Sequence, residues 1–170
     1  YTTEFFNECK QKLRRNGMMV QWFHSYEVDD ETFKMVVRSF QSAFPHVTLW
    51  QSLVADVVLI GSNEALSLDY QQLQAKINMP AIKEDLRRIQ VKDIPTLLSL
   101  QMLSEQAVAN YGDVGPLNTE NLPLLEYWAP RAFFVNKGVM GLNRYDERTS
   151  FGETTILLKQ WLGEHKFNDE

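Results

Sequence analysis

Gln21, His24 and Tyr26 lie close together near the start of the chain, and their side chains suit ligand binding. Gln21 is the one polar residue in the apolar run 17–23, and a polar group in such a run needs a hydrogen-bond partner. His24 and Tyr26 follow the end of the run, where open parallel sheets bind ligands. The sequence therefore predicts a substrate-binding site here. In the alternative interpretation, Gln21 bonds only backbone or buried water, and His24 and Tyr26 are ordinary loop residues.

Other chemistry-bearing patterns are missing from the sequence. The histidines lie in different predicted elements, and none has a second ligand at metal-binding spacing. No nucleophile elbow, Walker loop or dinucleotide fingerprint occurs. The adjacent acids Asp29-Asp30 and Glu84-Asp85 stand at predicted helix starts, where capping and the helix dipole account for them. The residues alone therefore predict no catalytic residue, no cofactor-binding residue and no metal site.

Residues 17–61 form the unit around which the chain is organised. The run 17–23 is apolar on both faces, which is typical of a parallel strand buried between helices. A helix follows Asp29, and its apolar residues have helical spacing: Phe33, Val36, Val37, Phe40 and Phe44. Two apolar runs, 46–51 and 56–60, then stand so close that they require an antiparallel hairpin. The predicted class is α/β.

The remaining chain divides by its Gly, Pro and capping residues. A helix is expected at 3–16, ended by Asn16-Gly17. We predict an α/β part at 1–66, a small helical subdomain at 67–111, a long ordered loop at 112–131 and a C-terminal extension at 132–170. The subdomain helices are predicted at 69–78, 81–89, 94–103 and 105–111, and the extension has one helix at about 153–162. Alternation at 124–128 indicates a short edge strand.

Composition limits the possible partners and setting. The chain has 170 residues, a net charge of -5 and a pI near 5.3, so it offers no basic surface for nucleic acid. No apolar run is long enough to span a bilayer, so no direct membrane insertion is expected. The single cysteine, Cys9, fits a cytoplasmic setting, and its apolar helical face predicts a core residue.

The chain also has features of a piece cut from a longer protein. Tyr1 is not Met, and a helix begins almost at once. A buried parallel strand at 18–23 needs parallel neighbours, which nothing later in the chain supplies, so the missing strands are expected upstream. An exposed edge of this strand also predicts self-association into a homo-oligomer.

Three segments resemble the C-terminal half of spermidine synthase-like proteins. They are Tyr-Thr-Thr-Glu-Phe-Phe at 1–6, Leu-Arg-Arg-Asn-Gly-Met-Met-Val-Gln at 13–21, and Pro-Leu-Asn-Thr-Glu-Asn-Leu-Pro-Leu-Leu-Glu-Tyr-Trp-Ala-Pro-Arg at 116–131. The resemblance covers 1–131, and it is strongest to bacterial polyamine aminopropyltransferase-like proteins with a membrane-spanning N-terminal part.

This resemblance implies a partial class I methyltransferase-like Rossmann fold. Residues 17–61 would supply its fifth strand, the following helix and the last two strands, the final one antiparallel. The implied activity is aminopropyl transfer from decarboxylated S-adenosylmethionine to a diamine, or related chemistry on S-adenosylmethionine. The family's cofactor-binding residues belong to the part before Tyr1. The isolated chain is therefore expected to hold no cofactor and to be inactive. Its expected partner is the N-terminal half, for which the resemblance implies a membrane anchor.

Departures from the family leave a second class of function open. Gln21 matches the family's glutamine, but Phe23-His24 replaces the Glu-Ser that follows it. Residues 46–55 replace a substrate segment that contains Tyr-Pro. The alternative is a non-catalytic interaction or assembly module that keeps the fold without the chemistry.

Overall fold

The computed structural model describes residues 1–135, 137–148, 157 and 161, and over these residues the chain has a mixed α/β fold. This confirms the predicted class. The helices are α1 (Thr3–Lys12), α2 (Asp30–Ala43), α3 (Tyr70–Ile77), α4 (Pro80–Arg88), α5 (Ile94–Leu98), α6 (Glu105–Gly112) and α7 (Leu124–Phe134), with a 3-10 turn at Gly141–Arg144. The strands are β1 (Met18–His24), β2 (His46–Leu53), β3 (Asp56–Ser62) and β4 (Gln101–Leu103).

Short polar residues begin most of the helices. A side-chain oxygen of each cap accepts a backbone N–H from the first turn; the caps are Thr2, Asp29, Asp69, Asp93 and Ser104. Asp29 accepts the N–H of Thr32 at 2.9 Å, which confirms its capping role. Helix α4 instead begins at Pro80, whose fixed φ suits a first helical position.

The sheet has the strand order β1-β3-β2-β4, and every neighbouring pair is antiparallel. β2 and β3 form the predicted hairpin through a turn at Val54 and Ala55. Because β1 and β2 both run antiparallel to β3, they are parallel to each other and lie on either side of it. Helix α2 makes the connection between them.

Helix α2 covers one face of the sheet with the side chains that its spacing predicts. Phe33, Val36, Val37, Phe40 and Phe44 are all buried. The ring of Phe6 from α1 packs edge-on against Phe40, with centroids 5.0 Å apart. Under these rings lies Gly61 of β3, where a Cβ atom would be 2.5 Å from a Phe40 ring carbon. Glycine is therefore required for the helix to pack this closely on the strand.

The opposite face carries a smaller apolar cluster. Ile77, Ile94 and Leu98 of the helical region form its centre, and Trp50 of β2 and Trp161 pack against it. The Trp161 indole donates a hydrogen bond to the side-chain oxygen of Gln101. The predicted helix at 153–162 lies outside the described residues except Leu157 and Trp161, which are both helical.

The prediction that β1 is buried on both faces is wrong. Among the described residues β1 pairs with β3 alone, and the two strands are antiparallel. Met18, Val20 and Trp22 are 54, 58 and 46% exposed. The prediction of burial failed because apolar side chains on one face of a strand do not by themselves show that another element covers that face.

Four further predictions need correction. Residues 101–103 form strand β4, not the end of a helix at 94–103. In the described part of the chain the sheet therefore has a fourth strand besides the three expected at 17–23, 46–51 and 56–60. Residues 124–128 begin helix α7, which contains Pro130, and are neither an edge strand nor part of an irregular loop. Helix α1 ends at Lys12; the left-handed residue is Asn16, with φ 60°, and lies beyond the helix. Cys9 is half-buried, not a core residue.

Candidate functional site

Gln21 lies in the middle of β1, opposite Leu59 of β3, and is half-buried. Its Nε2 donates to the backbone carbonyl of Trp22 at 2.8 Å. The amide nitrogen is therefore satisfied by backbone, as in the alternative interpretation of this residue. Its Oε1 has no hydrogen-bond partner among the residues that the structure describes, so it can accept a bond from a ligand amine.

The Trp22 carbonyl points toward the open edge of β1. Ser25 donates its N–H to Ala55 at 2.8 Å, so odd-numbered residues of β1 bond to β3 and even-numbered residues face the other way. The Trp22 oxygen also accepts from the Tyr1 hydroxyl at 3.2 Å. Burial raises the pKa of this hydroxyl, which keeps it protonated as a donor. Two side chains thus cover one carbonyl of the open edge.

His24 and Tyr26 form an aromatic surface where β1 ends. The His24 ring centroid is 4.7 Å from that of Tyr26 and 5.6 Å from that of Trp22. The His24 ring also stacks parallel on Phe23 at 5.1 Å. Tyr26 is exposed and His24 is half-buried, so a flat or cationic group can reach both rings.

The structure brings together only two of the three predicted site residues. Alternation along a strand puts Gln21 and His24 on opposite faces of the sheet. Over the described part of the chain, no hydrogen bond or ring contact joins Gln21 to His24 or Tyr26. A single ligand would reach all three only by passing around the edge of β1.

A segment distant in sequence completes this end of the sheet. Gly138 forms a β-bridge with Tyr26, and the N–H of Val139 donates to the Ser25 carbonyl at 2.9 Å. The Gly141 N–H donates to Asp30 Oδ1 at 2.7 Å, and a Cβ at Gly141 would be equally close to that oxygen. The sequence did not predict the contacts of this segment with Tyr26 and Asp30. Gly138 and Gly141 are the features that could have indicated them.

A cavity of ≈ 400 Å³ opens beside this segment, between the start of α2 and the end of α7. Its lining mixes acidic, basic and apolar side chains: Asp29, Glu31, Trp128, Arg131, Ala132, Val135 and Lys137. A second cavity of ≈ 410 Å³ on the opposite face of the sheet is mainly apolar, with Trp50, Ile60 and Leu73 in its wall. The first cavity has the polar groups that orient a charged ligand.

The described residues contain neither a metal-binding cluster nor a membrane-spanning helix. Over 1–135, 137–148, 157 and 161, no group of three or more His, Cys, Asp or Glu side chains is placed to hold a metal ion. Within the same residues, no helix is long and apolar enough to cross a membrane.

Comparison of the chain with protein-family models, with curated proteins and with solved structures finds no match. The resemblance to spermidine synthase-like proteins therefore stays a prediction that rests on the three segments quoted above.

Proposed function

We propose that this chain is the C-terminal part of a spermidine synthase-like transferase that uses an adenosylmethionine-type cofactor. In this proposal β1, α2, β2 and β3 are the last elements of a class I methyltransferase-like Rossmann sheet. The observation that carries it is the strand order. β1 and β2 are parallel, α2 connects them, and antiparallel β3 lies between them. The resemblance implies this helix connection and a final antiparallel strand.

Contacts among the three resembling segments also support the proposal. The Thr3 N–H donates to the Asn118 carbonyl at 2.9 Å, which joins segment 1–6 to segment 116–131. The Tyr1 ring packs edge-on against Phe23 with centroids 5.2 Å apart, next to segment 13–21. Segments that are far apart in sequence thus form one continuous region, as parts of one family motif would.

In this proposal the N-terminal half would pair with the open edge of β1. A parallel strand from that half would bond to the outward-facing backbone groups of Val20, Trp22 and His24. It would compete with Gln21 for the Trp22 carbonyl and so free the Gln21 amide for a substrate. The cofactor, decarboxylated S-adenosylmethionine or S-adenosylmethionine, would be held by that half, which in the parent would lie on the cytoplasmic side of a membrane anchor.

The chain's own contribution would be to orient the acceptor amine. The cofactor held by the N-terminal half would supply an electrophilic carbon next to its sulfonium, and this chain's residues would orient a neutral acceptor amine toward that carbon. Gln21 Oε1 would accept an amine N–H of the substrate. The rings of His24 and Tyr26 lie on the other face of the sheet, and with the edge of β1 closed by the added strand they would not contact the same substrate. The isolated 170-residue chain would therefore be inactive.

The experiment is calorimetric titration of 5′-methylthioadenosine and decarboxylated S-adenosylmethionine into a polypeptide extended upstream to include the missing strands. We expect binding by the extended polypeptide and none by the 170-residue chain. A well-folded extended polypeptide that binds neither compound would contradict the transferase proposal. Aminopropyl or methyl transfer by the shorter chain alone would contradict the proposed division of the site.

A second candidate function is a non-catalytic assembly module. The observation that favours it is the apolar row Met18, Val20 and Trp22, which is exposed on the strand that also has an open edge. Such an edge pairs readily with another chain, so homo-oligomer formation is the expected behaviour. Stable self-association together with failure of the extended polypeptide to bind an adenosyl compound would favour this function.

A further inference from the structure

The ≈ 400 Å³ cavity at the start of α2 is lined by acidic and basic side chains from different elements, called here its acidic and basic walls. Asp29 and Glu31 extend from the start of α2, while Arg131 comes from α7 and Lys137 from the segment after it. Trp128 adds an aromatic side chain to the lining. Acidic and basic groups therefore reach the same space from different elements.

The basic groups have no charged partner in the described part of the protein. Among the described residues, Arg131 and Lys137 form no ion pair or side-chain hydrogen bond. Both can therefore take an anionic ligand without losing an internal partner. A guanidinium binds a carboxylate through two parallel N–H bonds, which fixes its orientation as well as adding affinity.

The acidic wall also has carboxylate oxygens that can bind a ligand. Asp29 uses Oδ1 for the Thr32 cap, and Glu31 has one 3.4 Å ion pair with Lys34. The positive end of the α2 dipole opposes cation binding here, but Asp30 adds a third carboxylate to the same turn. The turn therefore stays acidic and can attract an ammonium group.

We propose that this cavity binds a small amino acid zwitterion, with its carboxylate at Arg131 and Lys137 and its ammonium at Asp29 and Glu31. A diamine would place a positive group beside the basic wall, and a simple carboxylic acid would leave the acidic wall without a partner. Only a ligand with both charges satisfies both walls. A short carbon chain between the charges would lie on Trp128.

This inference does not depend on the proposed transferase function, because it needs no cofactor and only residues of this chain. The cavity lies next to the predicted site, since Lys137 precedes Gly138, which forms the bridge with Tyr26. If a zwitterion binds and the extended polypeptide fails to bind an adenosyl compound, the inference stands while the transferase proposal fails.

The test is an NMR titration of the ¹⁵N-labelled 170-residue chain with small probes. The zwitterions are 3-aminopropanoate, 4-aminobutanoate and 6-aminohexanoate, and the four-carbon controls are 1,4-diaminobutane and butanoate. We expect at least one zwitterion to shift the amide signals of Glu31, Ala132 and Lys137, with a Kd below about 10 mM and about tenfold tighter than either control.

The matched variants are Arg131→Gln and Arg15→Gln, both of which replace an exposed arginine. Arg15 has only a 4.0 Å contact with Glu64 and lies outside the cavity lining. Arg131→Gln should weaken zwitterion binding by about tenfold, and Arg15→Gln should leave it unchanged. Absence of zwitterion binding to the folded chain, equal binding of diamine or butanoate, or unchanged binding by folded Arg131→Gln would overturn the proposal.

Discussion

The side-chain amide of Asn118 donates to the backbone carbonyl of Tyr1 at 3.1 Å, although the two residues are 117 positions apart. Its Oδ1 accepts the N–H of Leu125 at 3.0 Å, and its own backbone N–H donates to Ser39 Oγ at 2.8 Å. Asn118 is 3% exposed. This one residue therefore joins the start of the chain, helix α2 and the first turn of α7.

Asn118→Ala should lower the free energy of unfolding by about 2–3 kcal/mol. The substitution removes both side-chain bonds and leaves the Leu125 N–H and the Tyr1 carbonyl without their partners. Urea denaturation measures the change. Asn110→Ala is the control, since Asn110 is exposed and its side chain accepts one bond, from Gln106, among the described residues. Its effect should stay within about 0.5 kcal/mol. Equal effects of the two substitutions would show that Asn118 is not a structural junction.

Gly61→Ala should destabilise the protein by about 1–3 kcal/mol through overpacking. The new methyl group would be 2.5 Å from a ring carbon of Phe40 and 2.7 Å from one of Phe44, and both rings are buried. Gly138→Ala is the matched control, because its Cβ would lie 3.5 Å from the Ser25 oxygen, an ordinary contact. Thermal melting compares the two. A melting temperature for Gly61→Ala equal to that of Gly138→Ala would contradict the packing described for α2.

The N-cap Asp93 should make a small pH-dependent contribution to stability. Its bonds with the side chain and the backbone N–H of Thr96 lower the pKa of its carboxyl from its ordinary value. A carboxyl with a lowered folded-state pKa adds stability above its unfolded pKa and loses it as the pH falls through the folded value. Asp93→Asn keeps a capping side chain but not the charge.

We therefore expect Asp93→Asn to be less stable than the unsubstituted protein at pH 7 and closer to it at pH 3. Urea midpoints of both proteins at the two pH values measure the difference. A difference that stays constant from pH 7 to pH 3 would show that the charge of Asp93 does not contribute to the cap.

Val20→Lys should reduce self-association through the edge of β1. Val20 is exposed and its backbone faces the open edge, where a charged side chain opposes strand pairing between copies. Light scattering over a range of concentrations measures the average mass. Ile89→Lys is the control, because it changes an equally exposed apolar residue at the end of α4. A monomeric unsubstituted chain at high concentration, or equal effects of both substitutions, would contradict association through this edge.

Sequence patterns predicted those elements whose signals are local. The N-cap Asp29 and the spacing of Phe33 and Phe40 define α2, and the short gap before Asp56 requires a hairpin. β4 was missed because its three residues have no pattern of their own and pair with β2 only in the folded chain. α7 was missed because Pro130, which normally ends a helix, lies inside it.

The sequence predicted only those site residues that lie close together along the chain. His24 and Tyr26 were expected at the end of β1, and the structure places them together. The bridge from Tyr26 to Gly138 joins segments more than a hundred residues apart. A periodic pattern of apolar residues in the sequence does not indicate such a contact. Arg131 belongs to the family-like segment 116–131, but its place in the same cavity as Glu31 depends on the packing of α7 against α2.

Amide hydrogen exchange at Val20 is the most direct test of the proposed larger sheet. In the 170-residue chain the Val20 N–H faces the open edge and should exchange much faster than that of Gln21, which bonds to β3. In a polypeptide extended upstream, the predicted parallel strand should slow exchange at Val20 by about a hundredfold or more and change Gln21 far less. Unchanged fast exchange at Val20 in a well-folded extended polypeptide would contradict the assignment of β1 as an inner strand of a methyltransferase-like sheet.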